Sequence, residues 1–436
     1  MELFSTRAKN QTVSFRNAVL DCMPGDGGLY VPAHEENLRP WILYMDEKTS
    51  FSSIAGTLTS ALLKEEFSPV VSERIAAKAF SGYSPELRQL DDRLYSLELF
   101  HGPTGCHKDF GLLWLASALE HILTQEDQSA IVLAATAGVT GRSMAASFAG
   151  KKRLKMILVY PKGTLVGLDP GVLAWNGGNI WPVEIDGTMA DAQNLVRSVY
   201  AERDLVSRYG LTLANTMNIG RLLPQVFFYM YAFTRLRKKV RGDIFYAVPS
   251  GNYGNLVAGL YAWKFSLPVN GFITDATPSL SCDATGRCLC ADSAVPLEKR
   301  SAADPAIPSN IERLEQVFSM SSLMLRGLVF PAEVPPESVP SIMRSSWKQY
   351  GVMLDSAAAS ALGAVSAFSE RINSDEGTVV LVSKDHPAFE ADRLKAACGE
   401  APVIPSFMQS MNQPVVGAKC VPRERSALED ILREFS

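Results

Sequence analysis

A chain of 436 residues is too long for one simple core, so two or three domains are expected. With 47% hydrophobic and 20% charged residues and a net charge of -4, it reads as a soluble globular protein with no basic footprint for nucleic acid or an anionic membrane. Its seven scattered cysteines fit reduced thiols better than a disulfide framework, and neither an apolar signal core nor a run of ~18 apolar residues occurs, so a cytoplasmic protein is expected.

Residues 1–95 read as an N-terminal domain. Asp26-Gly27-Gly28 turns into the short strand Leu29-Tyr30-Val31-Pro32, residues 51–66 carry a helical period, and nothing here suggests chemistry.

From 96 to 436 the pattern changes to short β-rich runs alternating with helical stretches. Strands are expected over 131–136, 156–160, 183–185, 244–248, 271–274 and 378–382. Strands separated by helices argue for parallel sheet in an α/β fold, with ligands bound beyond the carboxyl ends of the strands. Residues 278–310 lack periodicity and read as a long loop or insertion, and 331–340 as a Pro-rich connector that starts a helix.

Several turns of this region could carry chemistry. In His101-Gly102-Pro103-Thr104-Gly105-Cys106-His107-Lys108-Asp109-Phe110-Gly111 a Gly-Pro turn sets Lys108 at a helix start, where the dipole disfavours the ammonium and favours a nucleophilic amine. Thr136-Ala137-Gly138-Val139-Thr140-Gly141 is a strand-to-helix turn that could bind a carboxylate through backbone N–H groups and the Thr136 and Thr140 hydroxyls, or serve as a plain turn. Ser250-Gly251-Asn252-Tyr253-Gly254-Asn255 lets backbone N–H groups converge on an anion before a helix, as a phosphate monoester requires; an ordinary tight turn is the alternative. His386, in Ser383-Lys384-Asp385-His386-Pro387, reads as a structural histidine. Cys282, Cys288 and Cys290 lack paired zinc spacing and a nearby histidine, so no metal is expected.

Taken together and in order, these segments resemble the threonine synthase family. Ser5-Thr6-Arg7 with Val13-Ser14-Phe15 and Asp26 to Pro32 is similar to the family's opening, Leu97 to Thr104 with Lys108-Asp109-Phe110-Gly111 to its lysine motif, and Pro249 to Asn255 to its cofactor-phosphate loop. Gly177-Gly178-Asn179-Ile180, Ile185-Asp186-Gly187 and Asn215 to Gln225 complete the set with His386-Pro387. The resemblance implies a fold-type-II, tryptophan synthase β-like α/β fold, with an N-terminal domain and two interleaved α/β subdomains. It implies pyridoxal 5'-phosphate, held by Lys108 as a Schiff base, with Gly251, Asn252, Tyr253, Gly254, Asn255, Ser383 and Lys384 around it. Thr104, Thr136, Gly138, Thr140, Asn218 and Arg221 fall at the substrate. The implied reaction takes O-phosphohomoserine and water to threonine and phosphate, in a monomer or homodimer whose partner is a small amino acid.

The chain also departs from the family pattern. Ala137 and Val139 replace a hydroxyl and a carboxylate, 166–171 lacks the usual lysine, and Asp355-Ser356-Ala357-Ala358-Ala359 stands where an Asp-Pro-His-Thr-Ala-like segment is usual. Lys384 falls where the family has the threonine that bonds the pyridine nitrogen, with Ser383 beside it. Two further readings therefore stand beside the first: an elimination or replacement enzyme for a different amino acid, and a non-catalytic homologue.

Overall fold

The computed structural model describes residues 1–436. β1 (Glu2–Ser5) lies between β2 (Thr12–Ser14) and β3 (Tyr30–Pro32) in a small antiparallel sheet. The helices Phe51–Leu62 and Pro69–Ala79 follow, each begun by a serine whose hydroxyl accepts an N–H of the first turn. β4 (Glu86–Asp91) and β5 (Leu94–Glu98) then form a hairpin, so the boundary expected at 95/96 falls inside a strand.

Two sheets carry the rest. β6 (Ala130–Ala135), β7 (Leu154–Pro161), β8 (Ile180–Ile185) and β9 (Leu211–Thr212) are followed by β10 (Ile244–Ala247) and β11 (Gly271–Asp275). After the hairpin of β12 (Leu280–Cys282) and β13 (Cys288–Cys290) come β14 (Val329–Ala332), β15 (Thr378–Ser383) and β16 (Lys419–Val421). One sheet runs β16-β8-β7-β6-β9, all parallel. The other runs β14-β11-β10-β15-β5-β4, parallel except for the outer β4.

Side-chain alternation explains the layers. Ile131 and Leu133 of β6 join one apolar cluster while Val132 and Ala134 join another, so both faces of the sheet are buried. In β15, Val380 and Val382 face the large central cluster and Val379 and Leu381 the outer one. Such strands read as continuous apolar runs, which is why all six expected ones are present with bounds shifted by a few residues.

The differences lie where that signal is weak. Pro331, expected in a connector, belongs to β14, an edge strand where a missing N–H is tolerated. Residues 278–310 include the β12–β13 hairpin rather than loop alone. No helix is long and apolar enough to cross a membrane.

Candidate active site

Three chain segments leave the carboxyl ends of β5, β15 and β10 side by side. The turn after β5 is zipped to the segment after β15: His107 N–H donates to Lys384 O at 2.7 Å and His386 N–H to Gly105 O at 2.9 Å. Lys108, the first residue of the helix Lys108–Gln125, is thereby held beside the end of β15. Asp109 fixes the turn from within: its carboxylate accepts Thr104 N–H at 2.8 Å, Thr104 Oγ1 at 2.6 Å and Ser143 Oγ at 2.5 Å. Desolvation raises the Asp109 pKa and these bonds oppose the rise. Gly111 is required by a close approach, since a Cβ there would collide with the Arg221 side chain.

After β10 the loop is held from outside. Asp275 accepts Ser250 N–H at 2.8 Å and Ser250 Oγ at 2.6 Å, and Lys384 Nζ donates to Pro249 O at 3.2 Å and Ser250 O at 3.0 Å. Asn252 Oδ1 takes Gly254 N–H at 3.1 Å, its Nδ2 donates to Thr216 at 3.2 Å, and Asn310 N–H donates to its carbonyl. Gly251 adopts φ 145°, a value L side chains rarely take, and Tyr253 is left-handed at φ 58° with its hydroxyl on Thr277. The N–H groups of Gly251, Asn252, Tyr253 and Asn255 find no protein acceptor. They precede or open the helix Gly254–Lys264, whose dipole adds to their attraction for an anion.

A cavity of about 230 Å³ joins these parts across the two sheets; Lys108, Thr140, Met144, Asn215, Arg221 and Asn252 line it. Arg221 is 4% exposed, its Nη1 has no partner, and burial pushes its pKa down to about 10. Thr136 is buried at the end of β6 with Oγ1 likewise unpartnered, and Gly138 opens the next helix. The cap residue there is Ala137, which offers no side-chain acceptor, so the first N–H groups of the helix Gly138–Phe148 stay free.

Not every expected residue offers its side chain to this cavity. Asn218 is fully buried, donating to Val19 O and Leu213 O at 2.9 Å and accepting Gly220 N–H, which holds the short helix Ile219–Leu222. The Asn255 amide is occupied by Tyr229 and Gln225, leaving its backbone N–H as its offer to the loop. Ser383 Oγ bonds Ser96 Oγ at 2.9 Å inside the sheet, and Thr104 is held by Asp109. His386 caps its own turn by accepting Ala388 N–H at 3.1 Å.

The sequence reading missed other parts of the site. Pro305, Ala306 and Pro308 of the aperiodic segment line the cavity, and Asn310 pins the anion loop. His107 stands 3.5 Å from Asp385; desolvation pushes the imidazole down to about 4, while Asp385 is held well below the usual carboxylate range by His107 and Lys108 against desolvation.

Residues 83–385 match the family model described as pyridoxal-phosphate dependent enzyme, and residues 2–80 match threonine synthase N terminus. The threonine synthase of Escherichia coli K12 is 30% identical over 439 residues, covering 99% of each chain. This chain belongs to the threonine synthase family. The threonine synthase of Buchnera aphidicola from Schizaphis graminum is 32% identical over 80% of this chain and 82% of its own. Among solved structures, the Escherichia coli enzyme superposes with a TM-score of 0.80 at 27% identity over the full length of both chains. The pyridoxal-phosphate-bound Brucella melitensis threonine synthase gives 0.84 at 22% identity, covering 100% of this chain and 99% of that one, and shares the fold.

Threonine synthases are pyridoxal-phosphate enzymes, and the residues present fit that cofactor. Four unpartnered N–H groups at a helix N-terminus suit its phosphate, a lysine on the same cavity suits its aldehyde, and the Arg221 side chain shares that cavity.

Proposed function

We propose that the chain converts O-phosphohomoserine and water to threonine and phosphate with pyridoxal phosphate carried on Lys108. The observation that carries this reading is the shared cavity of Lys108, Asn252 and Arg221, which brings together an amine, an anion loop and an unpaired guanidinium. When bound, the cofactor supplies an electron sink for carbanion character at the α and β carbons of the substrate.

The residues of the chain do the rest. The N–H groups of 251–253 and 255 grip the cofactor phosphate. Arg221 and the free N–H groups at the start of the 138–148 helix orient the substrate carboxylate, and Thr136 and Thr140 flank it. Lys108 would hold the cofactor through its amine, and that amine would move the protons at the α and β carbons of the substrate. Phosphate leaves from the γ carbon and water adds at the β carbon, so one water enters and one phosphate departs. Pro305, Ala306 and Pro308 form an apolar wall that limits bulk water.

Ala137, which caps the helix without an acceptor, favours a second reading: elimination or replacement on a different amino acid. Purified holoprotein given O-phospho-L-homoserine tests both. Equimolar phosphate and threonine are expected; no phosphate release with cofactor fully bound, alongside keto-acid formation from another O-substituted amino acid, supports the second reading instead.

A further inference from the structure

One cluster of ionisable side chains lies outside the cavity, where the β4–β5 hairpin runs into the turn that carries Lys108. The register of that hairpin sets Glu86 directly opposite Glu98. Like charges paired across two strands are destabilising, and no lysine or arginine forms a salt bridge with either carboxylate. The group that faces both is His101: its Nε2 stands 2.9 Å from Glu98 Oε2 and 3.7 Å from Glu86 Oε2.

Glu98 is the decisive member. It ends β5 with only 7% of its surface exposed, and its one side-chain hydrogen bond is the bond to His101, so Oε1 has no donor. A buried carboxylate needs paired donors or a bound cation. One imidazole supplies at most one positive charge to two carboxylates, so negative charge is left over whichever form the ring takes. His101 is half-buried and Glu86 exposed, which leaves the cluster open to an ion from solvent.

The donors and their spacing suit a metal. One imidazole nitrogen and two carboxylate oxygens lie within 4.8 Å of one another. Ligand atoms about 2.0–2.2 Å from one zinc-sized ion stand roughly 3–4 Å apart, which the distances of 2.9 and 3.7 Å match. A nitrogen with two oxygens suits first-row transition ions, whereas magnesium favours oxygen ligands alone.

We infer that Glu86, Glu98 and His101 form a structural site for a divalent transition-metal ion of the zinc class, with water completing its coordination. The ion fastens the hairpin to the start of the turn, since Glu86 lies on β4, Glu98 ends β5 and His101 precedes Gly102. The two glutamates meet through strand pairing, which hid the site from motif spacing.

Calorimetric titration with Zn²⁺ compares wild-type holoprotein with E86Q, E98Q and H101Q, and titration with Mn²⁺, which avoids thiols, sets the free cysteines aside. Wild type is expected to bind one Mn²⁺ at this site and Zn²⁺ more tightly. Each variant is expected to weaken that binding at least roughly 10- to 100-fold. Saturating Zn²⁺ is expected to raise the thermal midpoint of the wild type but not of E98Q. E86Q, at an exposed position on the outer strand, keeps the test available if a more buried variant misfolds. No binding by the wild type, or equal binding by wild type and E86Q, overturns the inference. So does Mg²⁺ bound as tightly as Zn²⁺, which marks a diffuse acidic surface. Turnover is not the readout, so failure here leaves the proposed reaction standing.

Discussion

Lys108 and Lys384 show how differently two neighbouring lysines can be placed: one lines the cavity and the other is bound to backbone carbonyls. Lys108 faces the cavity, so Lys108→Ala is expected to lower turnover by at least about 10²–10⁴-fold and to abolish the visible absorbance of amine-bound cofactor, read in the same spectrophotometer cell. Lys384 instead spends its ammonium on the carbonyls of Pro249 and Ser250, at the entrance to the anion loop. Burial lowers its pKa, with Asp385 and Asp355 opposing. K384M leaves both carbonyls unpaired, at a cost of about 1–3 kcal/mol. Pyridoxal phosphate affinity is therefore expected to fall roughly 5- to 100-fold, measured by fluorescence titration; unchanged affinity would show that the loop holds itself. The helix start at Lys108 was legible because it follows a Gly-Pro turn. The partners of Lys384 lie about 135 positions upstream, and no local pattern reveals a contact across two strands.

The helix Ser356–Ser366 begins at Asp355, whose carboxylate accepts Ala358 N–H at 2.8 Å. Burial pushes that carboxyl up from 3.8 to about 7, with the Ala358 bond opposing. Between those values the folded chain keeps a proton that the unfolded chain has released. Stability from this group is therefore full below about pH 4 and is lost progressively as pH climbs to 7, by on the order of 4 kcal/mol once ionised. Asp355→Asn keeps an acceptor at the cap and removes the titration. Urea midpoints are expected to fall from pH 5 to pH 8 in the wild type and to change much less in D355N; equal slopes would place the pH dependence elsewhere. Among the elements, the buried parallel strands were legible because both of their faces are apolar. β4, exposed along much of its length, and the segment at 278–310 were not, because their sequences carry no period, and 305–308 reach the cavity through Pro and Ala.

The site belongs to both sheets at once. Ala134, Ala135 and Thr140 come from the end of β6 and the helix after it, whereas Lys108 and Asn252 come from beyond β5 and β10. A cofactor bound across that cleft ties the sheets together, so 100 times its Kd of pyridoxal phosphate is expected to stabilise the chain by about 2.7 kcal/mol. Calorimetric unfolding of apo- and holoprotein measures this, and a single unshifted transition would show that the ligand engages neither sheet. The order of the motifs along the chain disclosed this architecture, while the meeting of their side chains required the fold. Borohydride reduction of the holoprotein, followed by peptide mapping of the pyridoxyl label, decides whether the amine and the anion loop serve one cofactor. One label, on Lys108, is the predicted result; a label on Lys384 or any other lysine, or none, contradicts it.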